Sequence, residues 1–141
     1  MLKTTIYKID SYNSTSDNEI KVEGASKNQL LIAARESDLT IESRQTLGQI
    51  LNAIKYNLED SCMLTLGDSQ SVSINSYIHQ HDIKRVLSFG IAPKDIGLQI
   101  AAGAYRIIDM ENLRIVFSHK ISDLNADKQK KIKLWNAIQG L

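Results

Sequence analysis

The sequence predicts an α/β domain: a three-layer sandwich with a mainly parallel central sheet, helices on both faces and an added C-terminal hairpin. Three observations predict it. Two short continuous apolar runs, Leu30 to Ala34 and Cys62 to Leu66, have the character of strands buried on both faces. An amphipathic helical stripe separates them, and a weaker one precedes a third run, Val86 to Phe89. Strands alternating with helices in this way argue for a parallel sheet with crossover connections. At 141 residues, 43% of them hydrophobic, the chain has the size of one domain and enough apolar material for a core without metal or disulfide staples.

Residues 1–18 are expected to be a flexible or partner-docking segment, because Ser11 to Asn18 is polar and turn-prone. Residues 19–141 are expected to form the single folded domain. Ile20 to Val22 can begin an edge strand, ahead of the Leu30–Ala34 strand. Next comes a helix from about Ser43 to Leu58, where Leu47, Ile50, Leu51, Ile54 and Leu58 draw one apolar stripe. Thr40 or Ser43 can cap its N-terminus. Gly48, inside it, costs about 1 kcal/mol relative to alanine. The Cys62–Leu66 strand closes at the turn signal Gly67-Asp68. A weaker helix follows from about Ser71 to Gln80, and the Val86–Phe89 strand ends at Gly90 and Pro93. The pattern then changes. Tyr105 to Met110 and Leu113 to Ser118 read as two strands joined at Glu111-Asn112, with Leu113, Ile115 and Phe117 alternating against Arg114, Val116 and Ser118. A last helix is expected from about Ala126 to Gln139, with Asn125 as N-cap, Asp127 at the positive end of its dipole, and Gly140 as its stop. Its apolar face is read as Ile132, Trp135 and Ile138.

Several function classes find no support. The lone cysteine, Cys62, excludes an internal disulfide and fits a reducing compartment. No apolar run approaches the ~20 residues that span a bilayer, and the first residues lack a signal-peptide core, so a cytoplasmic location is expected. Residues 1–70 carry 7 Lys+Arg against 10 Asp+Glu, and residues 71–141 carry 10 against 6. That mild dipole falls short of a nucleic-acid stripe, so direct nucleic-acid binding is expected to be weak or absent. His79 and His81 form an HxH pair, but residues two apart on a helix diverge and His119 is remote in sequence, so no metal is expected. Cys62 lies in an apolar strand, an unsuitable setting for a nucleophile. No cofactor motif and no catalytic constellation is present.

Three segments have the character of binding surfaces. The loop Gly90, Pro93, Lys94 and Gly97 follows a strand end, where open α/β sheets bind ligands; it reads either as a ligand loop or as a turn shaped by Gly and Pro. In the last helix, Lys128, Lys130, Lys131 and Lys133 crowd the N-terminal half, and Lys128 and Lys131 project to the side of Ile132 and Trp135. They read either as a docking face for an acidic partner or phosphate backbone, or as lysines snorkelling around a core tryptophan, the reading preferred for Trp135. At the start of the chain, Leu2, Ile6, Tyr7 and Ile9 make a short amphipathic segment suited to docking a partner.

The segment NEIKVEGASKNQLLIAARES, the helix after it and CMLTL together resemble the psi accessory subunit family of the bacterial replicative DNA polymerase III. The strongest match is FSHKISDLNADKQKKIKLWNAIQ, which resembles that family's closing strand, its S-x-x-L turn and its K-x-x-L-W-x-x-I helix. Ser118, Ile121, Leu124, Lys131, Leu134, Trp135 and Ile138 occupy those positions. The resemblance spans roughly residues 19–139. It implies the fold of uracil-DNA glycosylases reused as a non-catalytic adaptor, with a chi-like subunit and the clamp loader as partners, the latter held by the N-terminal segment. Where glycosylases place a G-x-D-P-like motif, this sequence has Arg35-Glu36-Ser37-Asp38; where they place an H-P-S-P-like loop, it has Gly90-Ile91-Ala92-Pro93, without a histidine. Glu36 and Asp38 would act on water in the alternative reading, an enzyme acting on a base in DNA. A small-ligand domain using the Gly90–Gly97 loop is the third.

Overall fold

The structure, a computed structural model, describes residues 21–24, 27–68, 70–100, 103–110 and 112–141. Leu2, Ile6, Tyr7 and Ile9, with the rest of the segment 1–18, and the turn residue Glu111 lie outside the described residues. Six strands form one mixed sheet: β1 Lys21–Glu23, β2 Leu30–Arg35, β3 Cys62–Leu66, β4 Arg85–Phe89, β5 Ile107–Met110 and β6 Leu113–Ser118. Their spatial order is β1-β3-β2-β4-β6-β5. The four central strands run parallel, while β1 and β5 pair antiparallel at the two edges. The helices are α1 Ile41–Ala53, α2 Asn75–Gln80, α3 Ile121–Ala126 and α4 Lys128–Ile138.

Period-two alternation divides the sheet between two cores. Leu30, Ile32 and Ala34 of β2 face one way, joined by Met63, Leu87, Phe89 and Val116. This side is covered by Leu47, Ile50 and Leu51 of α1, Ile121 and Leu124 of α3, and Leu134 and Ile138 of α4. Leu31 and Ala33 face the other way with Cys62, Leu64, Leu66, Val86, Ile115 and Phe117. There the cover is thinner: Ile74, Ile83, Ile91, Ile96 and Leu98, with Tyr77 and Ile78 of α2 packed alongside. Strands buried on both faces explain why they read as unbroken apolar runs.

Four expected elements differ from those observed. The first helix begins at Ile41, with the Thr40 hydroxyl accepting from the Ser43 amide at 3.1 Å, and stops at Ala53, not Leu58. Lys55 takes φ 65°, and the Tyr56 amide turns back to the Leu51 carbonyl at 2.9 Å. The second helix starts only at Asn75, because the Val72 and Ile74 amides are taken by the carbonyls of Asp95 and Ile96. The first strand of the hairpin begins at Ile107 rather than Tyr105, which sits at φ 64°. The expected final helix, 126–139, is α4 at 128–138, and a short helix that the sequence reading did not foresee, 121–126, precedes it across the extended residue Asp127. Asp127, not Asn125, is the N-cap of α4: its carboxylate accepts from the amides of Gln129 and Lys130. Asn125 instead accepts from the Thr46 hydroxyl at 2.7 Å, fastening α3 to α1.

Among the described residues, no helix is long and apolar enough to cross a membrane.

Candidate functional site

The carboxyl end of the parallel strands is where an α/β sheet usually opens a ligand crevice. Here side chains from β2 and the turn after it bridge the neighbouring segments. Arg35, the last residue of β2, donates to the carbonyls of Gly67 and Gln70 at 2.7 and 2.6 Å and reaches the Asp95 carboxylate at 3.2 Å. One guanidinium thus fastens the segments following β3 and β4. Asp38 is buried, and its two oxygens accept from the amides of Ile121 and Ser122 at 2.6 and 3.1 Å, at the start of α3. It supplies the negative charge that a helix N-terminus favours. Each oxygen thus accepts one backbone amide and ties the turn after β2 to the start of α3. Glu36 points outward, 3.4 Å from Lys21 in an exposed ion pair.

The Gly90–Gly97 loop has a structural explanation of its own. Gly90 is at φ 66°, its amide bonded to the Ser118 carbonyl at 2.8 Å; a Cβ there would lie 2.6 Å from the Lys120 side chain. Pro93 opens a 3-10 turn over Pro93–Ile96, and Gly97 closes it in the left-handed region, its backbone pressed against Ser73. Ile91 and Ile96 are anchored in the core. Pro93, Lys94 and Gly97 line an open depression with Ala92, Leu98, Gln99 and Ile100; Gly90 does not.

The histidines remain apart. His79 lies in a depression with Asp82, whose carboxyl is held below its usual range by a hydrogen bond from the Gln29 amide and then by Lys84. His119 sits beside Tyr105. No group of three or more metal-ligating side chains occurs among the described residues. Cys62 is buried in β3.

The last helix departs most from expectation. Trp135 is not a core residue: it is 44% exposed, and Ile132 is 45% exposed. Leu134 and Ile138 take the buried positions. Lys128 and Lys131 do lie with Ile132 and Trp135, as the sequence predicts; together with Asn136 they line a depression of about 350 Å³. Lys130 and Lys133 are not part of it. Lys133 lines a second depression on the other flank of α4, with Tyr105, Arg106, His119, Asn136 and Ala137. The sequence reading missed this second group. The hairpin register contained the signal: Ile107 pairs with Val116, which brings Tyr105 and Arg106 to the end of β6 where His119 follows. Among the described residues, no carboxylate lies within ion-pair distance of any of the four helix lysines.

No protein-family model matches the chain, and no curated protein matches it.

Proposed function

We propose that the chain is a non-catalytic adaptor that binds another protein through α4, in the manner of the psi accessory subunits it resembles in sequence. One observation carries the reading: a tryptophan and an isoleucine stand side by side in solvent on a helix whose other face is packed. Exposed single hydrophobics are ordinary, but tryptophan in a cationic setting is the residue type that anchors interfaces. Lys128 and Lys131 flank it, so the complementary surface has an apolar centre and an acidic rim. The three-layer, glycosylase-like arrangement is part of the same reading. Its support is the parallel core with α1, α3 and α4 on one side and α2 on the other. A chi-like subunit is the partner proposed for α4, and the clamp loader the partner for residues 1–10.

Purified chi-like and clamp-loader subunits from the same organism, mixed with the full chain on size exclusion, test the proposal. The unaltered chain should co-elute with the chi-like subunit. An Ile132→Ser/Trp135→Ala variant should keep its circular dichroism spectrum and lose co-elution. Undiminished binding by that variant would remove α4 from the interface. Failure of the unaltered chain to bind any of these proteins would overturn the assignment.

A further inference from the structure

The second flank of α4 carries a site of a different kind. Its groove, about 680 Å³, is lined by Ala104, Tyr105, Arg106, His119, Lys133, Asn136 and Ala137. That volume is within the usual range for small-ligand sites. Two of its side chains are basic, Arg106 and Lys133, and the tyrosine hydroxyl, imidazole and carboxamide add hydrogen-bonding groups. No carboxylate lines it. An arginine fork with a lysine beside it is the combination that recognises phosphate oxygens.

The aromatic wall is fixed in place. The Tyr105 hydroxyl and His119 Nδ1 are 2.5 Å apart, and the two rings lie 5.3 Å between centroids at 39°. Tyr105 also holds φ 64°, a conformation that a bulky residue adopts at a cost. Its amide bond to the Phe117 carbonyl, 2.8 Å, locks it there. Strain of this kind persists only where surrounding contacts over-determine it, and it gathers at binding sites. A flat ring face beside a pair of cations fits a flat, phosphate-bearing molecule.

From this geometry we infer that the groove between α4 and the β5–β6 hairpin binds a nucleotide unit. The phosphate lies against Arg106 and Lys133, and the base lies against the Tyr105–His119 pair. Asn136 is placed at the rim to reach polar edges of the base or sugar. The unit is either a free mononucleotide or one residue of a single strand, since both present the same chemistry. The site adjoins the Ile132–Trp135 face, with Asn136 lining both depressions, but Arg106, His119, Tyr105 and Lys133 belong to this groove and not to that face.

Amide and side-chain NMR titrations of the full chain test it with five probes: a nucleoside 5′-monophosphate, the matching nucleoside, inorganic phosphate, a short oligothymidylate and a phosphoserine peptide. Saturable shifts at Arg106, His119 and Lys133 are expected with the monophosphate, and weaker ones with the nucleoside or with phosphate alone. Arg106→Gln, an exposed change, should weaken the monophosphate by about tenfold, the loss of one charge-assisted hydrogen bond. Tyr105→Phe should retain the ring contact and most of the affinity. Tighter binding of the oligothymidylate, with a steep salt dependence, would identify a strand as the source; equal binding of the monophosphate would identify a free nucleotide. No saturable shift at millimolar monophosphate would overturn the inference, as would affinity unchanged in Arg106→Gln. Inorganic phosphate or the phosphopeptide matching the nucleotide would overturn the assignment of the base contact.

Discussion

Single side chains at the carboxyl end of the sheet have roles that their sequence context does not disclose. Asp38 follows a core strand, in the position where a catalytic carboxylate would be sought. Its surroundings give it a structural task, because two amides from a segment more than 80 residues away bond to its oxygens. An Asp38→Asn change leaves one acceptor oxygen and places an NH₂ against a donor. The expected cost is about 1–3 kcal/mol in urea unfolding, from the broken cap and an unsatisfied buried group. A variant as stable as the parent would show that water replaces the contact. Trp135 is the opposite case. Nearly half of it is in solvent, so Trp135→Ala should change stability by less than about 1 kcal/mol. A loss of 3 kcal/mol or more in the same unfolding measurement would mean that the indole is a core group and not a contact surface.

Secondary-structure elements were legible in proportion to how locally they are determined. β2, β3 and β4 stand out as apolar runs because both faces of each are buried, and the hairpin strand β6 stands out by alternation. The start of α2 was not legible, because the Val72 and Ile74 amides ahead of it bond to the carbonyls of Asp95 and Ile96, far away in sequence. In α4 the difficulty is angular. Ile132, Leu134, Trp135 and Ile138 spread over about 160° of the helix at 100° per residue, wider than a single packed stripe requires. Periodicity alone cannot say which part of so wide an arc meets the sheet. The packing assigns Leu134 and Ile138 inward and leaves Ile132 and Trp135 outward. The excess width was itself the trace of an exposed apolar face beside the packed one. The break at Asp127 sets the direction of that surface, since it separates α3 from α4 by one extended residue. Asp127→Ala removes the acceptor for two amides and should lower stability by about 1 kcal/mol. Hydrogen exchange should then show faster exchange at Gln129 and Lys130 while β6 is unchanged; uniform loss of protection would place the effect elsewhere.

For the whole molecule, the four parallel strands meet at one end, and that end is cross-linked by polar groups that arise from β2 and the turn after it. Arg35 reaches the segments after β3 and β4; Asp38 reaches the helix after β6. The inner part of that end is therefore bridged by side chains of the chain itself, and the open depression lined by Pro93, Lys94 and Gly97 lies beyond it. This arrangement makes Arg35 a joint between segments remote in sequence. Its side chain is 11% exposed, so its bonds are only weakly screened by solvent. Replacing it by methionine preserves length and apolar stem but removes three bonds, those to the Gly67 and Gln70 carbonyls and to the Asp95 carboxylate, although Gly67 keeps the Gln70 amide and Asp95 keeps the Ser71 hydroxyl. The expected loss is about 2–4 kcal/mol in denaturant unfolding. The pattern of exchange is more diagnostic than the total. Gln70 and Val72, whose amides bond within the fastened segments, should lose protection together, while Arg44 in α1 should keep its own. If Arg35→Met accelerates exchange equally in α1 and at Val72, the contact contributes only to global stability and does not join the ends of the strands. If exchange changes at neither, the carboxyl end is held by backbone packing alone.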